Sequence, residues 1–377
     1  MHKDISIVYN GKIPRYLLNV IVPMVICFVN NKSRVELLSG SGKTDLKKYF
    51  NRMPEDMIVY NIMKPNRITR ISQISQFLRK TKQKKIIVLT ERYAIIIGIL
   101  SKLQGINNTL IIFKQGALAE EIYFLTNSLI KKIRSRVIEK LSLIMADEAI
   151  FVSNKMAQYY KEKFNYKKKF YIINNKAIIP AIKIIRKRYA FNRVEIVYAG
   201  STAKWQNMDY ILKIFKALEK KDKHINFKII TNDMYNFDKY KIGNLTVAHS
   251  NPRDIVQELS KSDIGIIVRD SNLLNRIASP LKIGEYLSAG LSVILTENIG
   301  CYSDLIRDKN VGCIISGVNL EEDVVIIRKF INDYLLDKGF YQSKSLEVSQ
   351  SMFLSYDDYK MLLCSFLKKR NKAKHRN

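Results

Sequence analysis

The run Ser279-Pro280-Leu281-Lys282, with Glu285 just beyond it, holds the residue types and spacing best suited to chemistry. Ser favours the position before a helix, and Pro favours its first residue. A helix opening here leaves backbone N–H groups from Ser279 to Lys282 without intrahelical acceptors. Its dipole also brings partial positive charge to that end. Lys282 adds a full charge, so the stretch reads as an anion site, and a diphosphate is the guest that fits. Glu285 lies on the same helix. A carboxylate in a basic protein can accept two hydrogen bonds from a vicinal diol, as the acidic residue of dinucleotide-binding folds does with ribose. A diphosphate at the helix start and a ribose near Glu285 together describe a nucleotide. Arg269 ends the preceding apolar run and is a further cation for the same charge. Its alternative role is a structural ion pair with Asp270 or Asp304.

A second stretch competes for the nucleotide. "GSGKT", Gly40 to Thr44, has the ending of a phosphate-binding P-loop. That pattern needs a glycine five residues before its second one, and Leu37 occupies the place. With the anchoring turn missing and no strand ending in a Mg²⁺-holding Asp, the stretch reads as an ordinary turn or a cleft-lining loop.

Elements of short apolar strand, loop and amphipathic helix alternate along both halves. This grammar implies parallel sheets with helices on both faces. The first half offers strands at 5–9, 34–38, 57–62, 85–90, 109–113, 148–152 and 170–174. The second offers 194–200, 227–231, 245–248, 264–268, 292–296 and 312–315. Tyr16 to Val29 is apolar but shorter than the ~20 residues of a membrane span, and it reads as a buried helix. In the helix near Ser128–Ala146, Ile130, Ile133, Val137, Leu141 and Ile144 share one face. The other face, with Lys131, Lys132, Arg134, Arg136 and Lys140, reads as solvated, with contact to a membrane as the alternative. The expected organisation is α/β, two Rossmann-like doubly wound domains facing across a cleft. Residues 1–180 form an N-terminal acceptor-side domain and 181–193 a linker. Residues 194–345 form the nucleotide-binding domain, and 346–377 a C-terminal helix with a basic tail.

The chain has 377 residues, and its 64 Lys and Arg against 34 Asp and Glu leave a net charge of +30. Such a surface attracts polyanions: phosphorylated substrates, anionic lipid or nucleic acid. Four Cys without C-x-x-C spacing and four scattered His argue against a structural metal and suit a reducing compartment. The N-terminus runs directly into a strand pattern with no signal peptide in view.

Several stretches resemble GT-B glycosyltransferases of the family 4 type. "SPLKIGEYLSAGLSVI", Ser279 to Ile294, is similar to their donor-site segment. "VYAGSTAKWQNMDYILKIF", Val197 to Phe215, resembles the strand, glycine loop and helix that open their C-terminal domain. "QGALAEE" at Gln115–Glu121 and "ADEAIFVSNKMAQYYKEKF" at Ala146–Phe164 resemble a passage of their N-domain. The resemblance implies sugar transfer from a nucleotide-diphosphate donor, a UDP-sugar by default, with retention of configuration and without a metal or other cofactor. It implies that Glu285 holds the donor ribose and that Gly200, Ser201 and Lys204 line the diphosphate. It places the acceptor side at Asn10, Gly11, Gln115 and Gly116. Two departures stand out. Ser201 replaces a common Arg, with Lys204 two positions early, and Ile277 stands where a second acid is frequent. For a catalytic carboxylate Glu91 is the best placed, followed by Glu120 and Glu121.

Basic runs at Lys161–Lys169, Lys183–Arg188 and Lys368–Arg376 suit an anionic membrane surface. They fit a lipid-linked oligosaccharide acceptor used at the cytoplasmic face of the membrane, in capsule or lipopolysaccharide building. The alternatives are a catalytically degenerate GT-B nucleotide-binding protein and a basic nucleic-acid-binding protein. No RNA- or DNA-binding motif supports a specific nucleic-acid partner.

Overall fold

The structure is a computed structural model and describes residues 3–9, 15–40, 50, 53–64, 66–80, 85–175, 193–250, 254–352 and 357–368. The chain divides into two compact units, residues 1–174 with 356–377, and residues 175–355. The 181–192 stretch of the expected linker, Asn10 and Gly11, Ser41–Thr44 of "GSGKT", and the basic tail from 369 lie outside the described residues.

In the first unit the strands are β1 (Lys3–Val8), β2 (Ser33–Ser39), β3 (Ile58–Ile62), β4 (Lys85–Val88), β5 (Thr109–Lys114), β6 (Glu148–Phe151) and β7 (Phe170–Ile172). The helices are α1 (Arg15–Asn30), α2 (Arg67–Lys80), α3 (Glu91–Leu103), α4 (Leu118–Thr126), α5 (Leu129–Met145) and α6 (Asn154–Phe164). Seven strands form one sheet in the order β3-β2-β1-β4-β5-β6-β7, parallel throughout. Short runs of Val, Ile and Leu, buried on both faces, make such strands.

The second unit begins with β8 (Val194–Ala199), α7 (Met208–Lys221), β9 (Ile225–Ile230) and β10 (Leu245–Ala248). It continues with α8 (Ile255–Leu259), β11 (Ile264–Ile267), α9 (Leu273–Ile277), α10 (Leu281–Ser288) and β12 (Ser292–Thr296). It ends with α11 (Tyr302–Asp308), β13 (Gly312–Ile315), α12 (Leu320–Leu336) and α13 (Lys338–Met352). Its six strands are also parallel, in the order β10-β9-β8-β11-β12-β13. The order reverses beside β8, so the crevice between the loops after β8 and β11 is the natural ligand position in this sheet. The last helix, α14 (Asp357–Lys368), belongs to the first unit, where the Tyr359 hydroxyl donates to the carbonyl of Val20 in α1. Pro23 lies just beyond in α1 and removes one helical hydrogen bond there.

The period of α5 is the expected one, but its orientation is not that of a core helix. Ile130, Ile133, Val137, Leu141 and Ile144 face outward, while Ser135, Glu139, Ser142 and Leu143 are buried. Glu139 explains the inversion. Its carboxylate accepts from the N–H groups of Leu118 and Ala119 and from the Tyr160 hydroxyl, so the inward face is polar yet satisfied.

In the second unit Tyr286 of α10 lies fully buried across Gly265 of β11. A Cβ at Gly265 would stand 2.2 Å from the Tyr286 ring. The ring cannot retreat freely, because its hydroxyl accepts from the N–H of Ala199 at 2.9 Å. Gly265→Ala is therefore expected to lower unfolding free energy by about 1–3 kcal/mol, the usual cost of overpacking, as read from urea denaturation. An unchanged midpoint would mean that α10 is not held to the sheet in this way.

Candidate functional site

The loops after β8 and β11 and the start of α10 bring together Gly200, Arg269, Lys282 and Glu285. Pro280, rather than Ser279, is the N-cap residue of α10. The Ser279 hydroxyl is turned instead to the Tyr302 hydroxyl at 2.6 Å and accepts from the Asn175 N–H. Ser279 thus fixes where the helix begins without capping it. Leu281, Lys282 and Ile283 form the first turn, whose N–H groups have no acceptor within the helix.

Lys282 is 9% exposed. Its ammonium donates to the Tyr198 hydroxyl at 2.6 Å and to Gln206 Oε1 at 3.0 Å, and lies 4.0 Å from the centre of the Tyr198 ring. No carboxylate pairs with it among the described residues. Burial, reinforced by the nearby Arg269 charge, pulls its pKa well below the ordinary lysine range. Gly200 makes this placement possible. Its φ is +136°, and a Cβ there would stand 2.3 Å from Lys282 Cε. The glycine therefore clears a path for the lysine, a tighter demand than that of a plain turn.

Arg269 makes neither of the ion pairs open to it from the sequence. Asp270 accepts from Asn207, and Asp304 pairs with Arg307. The Arg269 guanidinium has one long contact, to Asn275 Oδ1 at 3.4 Å, and its Nε is buried without a partner. Burial draws its pKa down to about 10. Two cations thus lie near each other with no carboxylate paired to either, although Glu285 and Asp233 partly offset the Lys282 charge from further off, an arrangement that an anion would complete.

Glu285 is half-buried one turn into α10, and its carboxylate makes no hydrogen bond or ion pair among the described residues. Burial raises its pKa, opposed by Lys282. Lys204 opens a one-turn 3-10 helix, Lys204–Gln206, with an exposed side chain, and Ser201 is exposed beside it. The Ser201 carbonyl accepts from the Tyr198 hydroxyl. Ile277, in the place of the second acid, is buried.

The sequence reading missed the groups that brace this site. Tyr198 and Gln206 hold the lysine amine, and Asp233 accepts from the Thr202 N–H at 2.7 Å to fix the glycine loop. Only Tyr198 carried a signal, since a phenol at the end of a buried strand needs a polar partner.

In the first unit Glu91 begins α3, beyond β4. Its carboxylate is joined to the buried Lys114, which also faces Glu139 at 3.5 Å. Burial alone would raise the Glu91 pKa, but Lys114 outweighs it and the net shift is downward. A carboxylate so held is a weak base, which counts against the catalytic role expected for Glu91. Glu120 is paired with Lys132 and Arg136. Glu121 alone of the three has no hydrogen bond or ion pair among the described residues. Glu121 as a residue is exposed, but its carboxyl group is turned in, where burial and then Glu91 raise its pKa. Its carboxylate lies against Gly116, where a Cβ would stand 1.8 Å from Oε1. Gln115 is half-buried beside it, with Nε2 lacking a partner. Among the described residues no group of three or more His, Cys, Asp or Glu is placed to hold a metal ion.

No protein-family model matches the chain, and no curated protein matches it. Solved structures do. A glycosyltransferase from Rickettsia africae ESF-5 superposes with a TM-score of 0.71 at 14% identity, covering 97% of this chain and 98% of that one. Anabaena HepE, solved with UDP-glucose, gives 0.70 at 13% identity over 98% and 100%. WaaG, a glycosyltransferase involved in lipopolysaccharide biosynthesis, gives 0.65 at 12% identity over 95% and 98%. The chain has the GT-B glycosyltransferase fold, two Rossmann-like units.

The lowered pKa of Lys282 has a consequence for stability. Between its folded value and the ordinary lysine value, the unfolded chain binds the proton that the folded chain has lost. Stability of the ligand-free protein therefore rises with pH across that window, by at most about 1.4 kcal/mol per pH unit from this group. Lys282→Met should remove that part of the rise. Chemical denaturation of both proteins at several pH values checks it, and parallel pH profiles would contradict the assignment.

Proposed function

We propose that the protein is a glycosyltransferase that binds a nucleotide-diphosphate sugar in its second unit, a UDP-sugar in the first instance. The observation that carries the reading is the pair of buried cations, Lys282 and Arg269, neither of them paired with a carboxylate, at the start of α10 with Glu285, which makes no hydrogen bond or ion pair among the described residues, one turn along. The diphosphate would lie between the cations and the first turn of α10, and Glu285 would take the ribose diol. Lys204, Ser201, Gly200 and Leu281 line the same position. HepE, with the same fold, was solved with UDP-glucose and with UDP and glucose, which supports a uridine nucleotide.

The chemistry follows from where charge develops. As the glycosidic bond breaks, negative charge grows on the leaving diphosphate. Lys282, Arg269 and the helix start are already oriented to meet it, and so lower the barrier without reorganising. This supports a metal-independent reaction. Retention of configuration is carried by the resemblance alone. On the acceptor side we place Gln115 and Gly116, with Glu121 in preference to Glu91 as the carboxyl group with basicity to spare. The acceptor we favour is a lipid-linked glycan of capsule or lipopolysaccharide type, used at the cytoplasmic face of the membrane. The +30 charge and the lipopolysaccharide role of WaaG support that choice.

Thermal unfolding of wild type and Glu285→Ala with UDP, GDP, ADP and ATP tests the donor site. A ligand at ~100 times its dissociation constant adds about 2.7 kcal/mol, a rise of a few degrees. Glu285→Ala should weaken the favoured diphosphate by about 1.5–3 kcal/mol. If only ATP stabilises and the variant behaves as wild type, the donor reading fails and "GSGKT" becomes the nucleotide candidate.

A further inference from the structure

We propose that α5 is the surface by which the first unit docks on an anionic lipid bilayer. The helix is built the wrong way round for a core helix. Leu129, Ile130, Ile133, Val137, Leu141 and Ile144 are 40–82% exposed. At 100° per residue the last five fall within one outward stripe, opposite the buried Ser135, Glu139 and Ser142. The inward face is tied down by Glu139, which caps α4, and by the Ser142 hydroxyl bonded to the Glu139 carbonyl. The helix therefore cannot roll to hide its stripe without orphaning these buried groups.

Charge identifies the occupant. Exposed Lys131, Arg134 and Lys140 flank the stripe on both sides. Lys132 and Arg136, further round, bind Glu120 of α4. The only acid in α5 is Glu139, which is fully buried. At the far end the Lys168 amine donates to the carbonyls of Leu143, Ile144 and Ala146, adding positive charge there. A second copy of the chain would set two basic rims against each other with no carboxylate on the helix to separate them. A nucleic acid would satisfy the rims but leave an aliphatic stripe in water, and the stripe has no aromatic ring on which a base could stack. A bilayer with anionic headgroups meets both features, with acyl chains for the stripe and phosphates for the rims. Among the described residues no helix is long and apolar enough to cross a membrane, so the mode is docking in the interface. The surface stands whether or not the transfer reading holds. If both hold, it carries the first unit to a lipid-linked acceptor.

The test is vesicle sedimentation of the full chain with phosphatidylcholine alone and with equal parts phosphatidylcholine and phosphatidylglycerol. The key variant is Ile133→Ser with Val137→Ser, which alters no charge and replaces only exposed residues. Wild type should sediment with the mixed vesicles only. The double variant should bind on the order of tenfold or more weakly, from the apolar surface it no longer inserts. Its melting temperature and its response to UDP should stay as in wild type, which separates this outcome from misfolding and from failure of the donor reading. Equal sedimentation of wild type and variant would overturn the proposal and assign binding to basic runs elsewhere. So would wild type that ignores both vesicles. Wild type that ignores vesicles but self-associates, with the variant monomeric, would make the stripe a contact between copies instead.

Discussion

A buried ammonium with no carboxylate paired to it is the constraint around which the second unit is arranged. Taking Lys282 out of water costs several kcal/mol, and a phenol, an amide oxygen and an aromatic ring return only part of it. The local sequence serves that placement. Gly200 has no side chain because Lys282 Cε passes where one would be. Tyr198 and Gln206 sit on either side of the glycine loop because both must reach the amine. Asp233 and Asn207 fasten the loop to the ends of β9 and β11. Tyr286 locks α10 against β8 and β11 by a hydrogen bond that only the missing Cβ of Gly265 permits. Stability is given up at one point to hold a cation in position, largely desolvated, at the start of α10.

The first unit supplies an internal contrast. Lys114 is as deeply buried as Lys282, but it faces Glu91 and Glu139. Burial would lower its pKa, yet the carboxylates outweigh burial and raise it. A lysine compensated in this way ties α3 and α5 to the end of β5 and has little left to offer a ligand. The same residue type therefore plays opposite parts, and the deciding quantity is whether a carboxylate is close enough to pair. The same criterion separates Glu121 from Glu91 and Glu120, since only the unpaired acid keeps a raised pKa and capacity to accept.

Much of this was legible in the sequence because it is local. Val-Ile-Leu runs alternating with amphipathic stretches give parallel strands and their helices. The strand at Ser292–Thr296 and the span of α10 follow from neighbours in the chain. Lys282 and Glu285 were readable as a pair because both lie on one short helix. The supports were not, since Tyr198, Gln206 and Asp233 meet Lys282 and its loop only through the folding of distant segments. Ser279 misled because its hydroxyl had a better partner in Tyr302 than the helix start. Glu91 misled for the same reason, its partner Lys114 lying on the neighbouring strand. For α5 the period showed a stripe but not its direction. Direction was decided by Glu139, whose three hydrogen-bond donors lie on α4 and α6.

If the cations at the start of α10 receive a diphosphate, its arrival must change their protonation. Calorimetric titration with UDP and with uridine, each in two buffers of different ionisation enthalpy, tests it most directly. An arriving diphosphate should raise the pKa of Lys282 toward its ordinary range. UDP binding should then draw a proton from the buffer near the lowered pKa, and uridine should bind far more weakly with no such uptake. UDP binding with the same heat in both buffers, or uridine binding as tightly as UDP, would mean that no diphosphate meets Lys282.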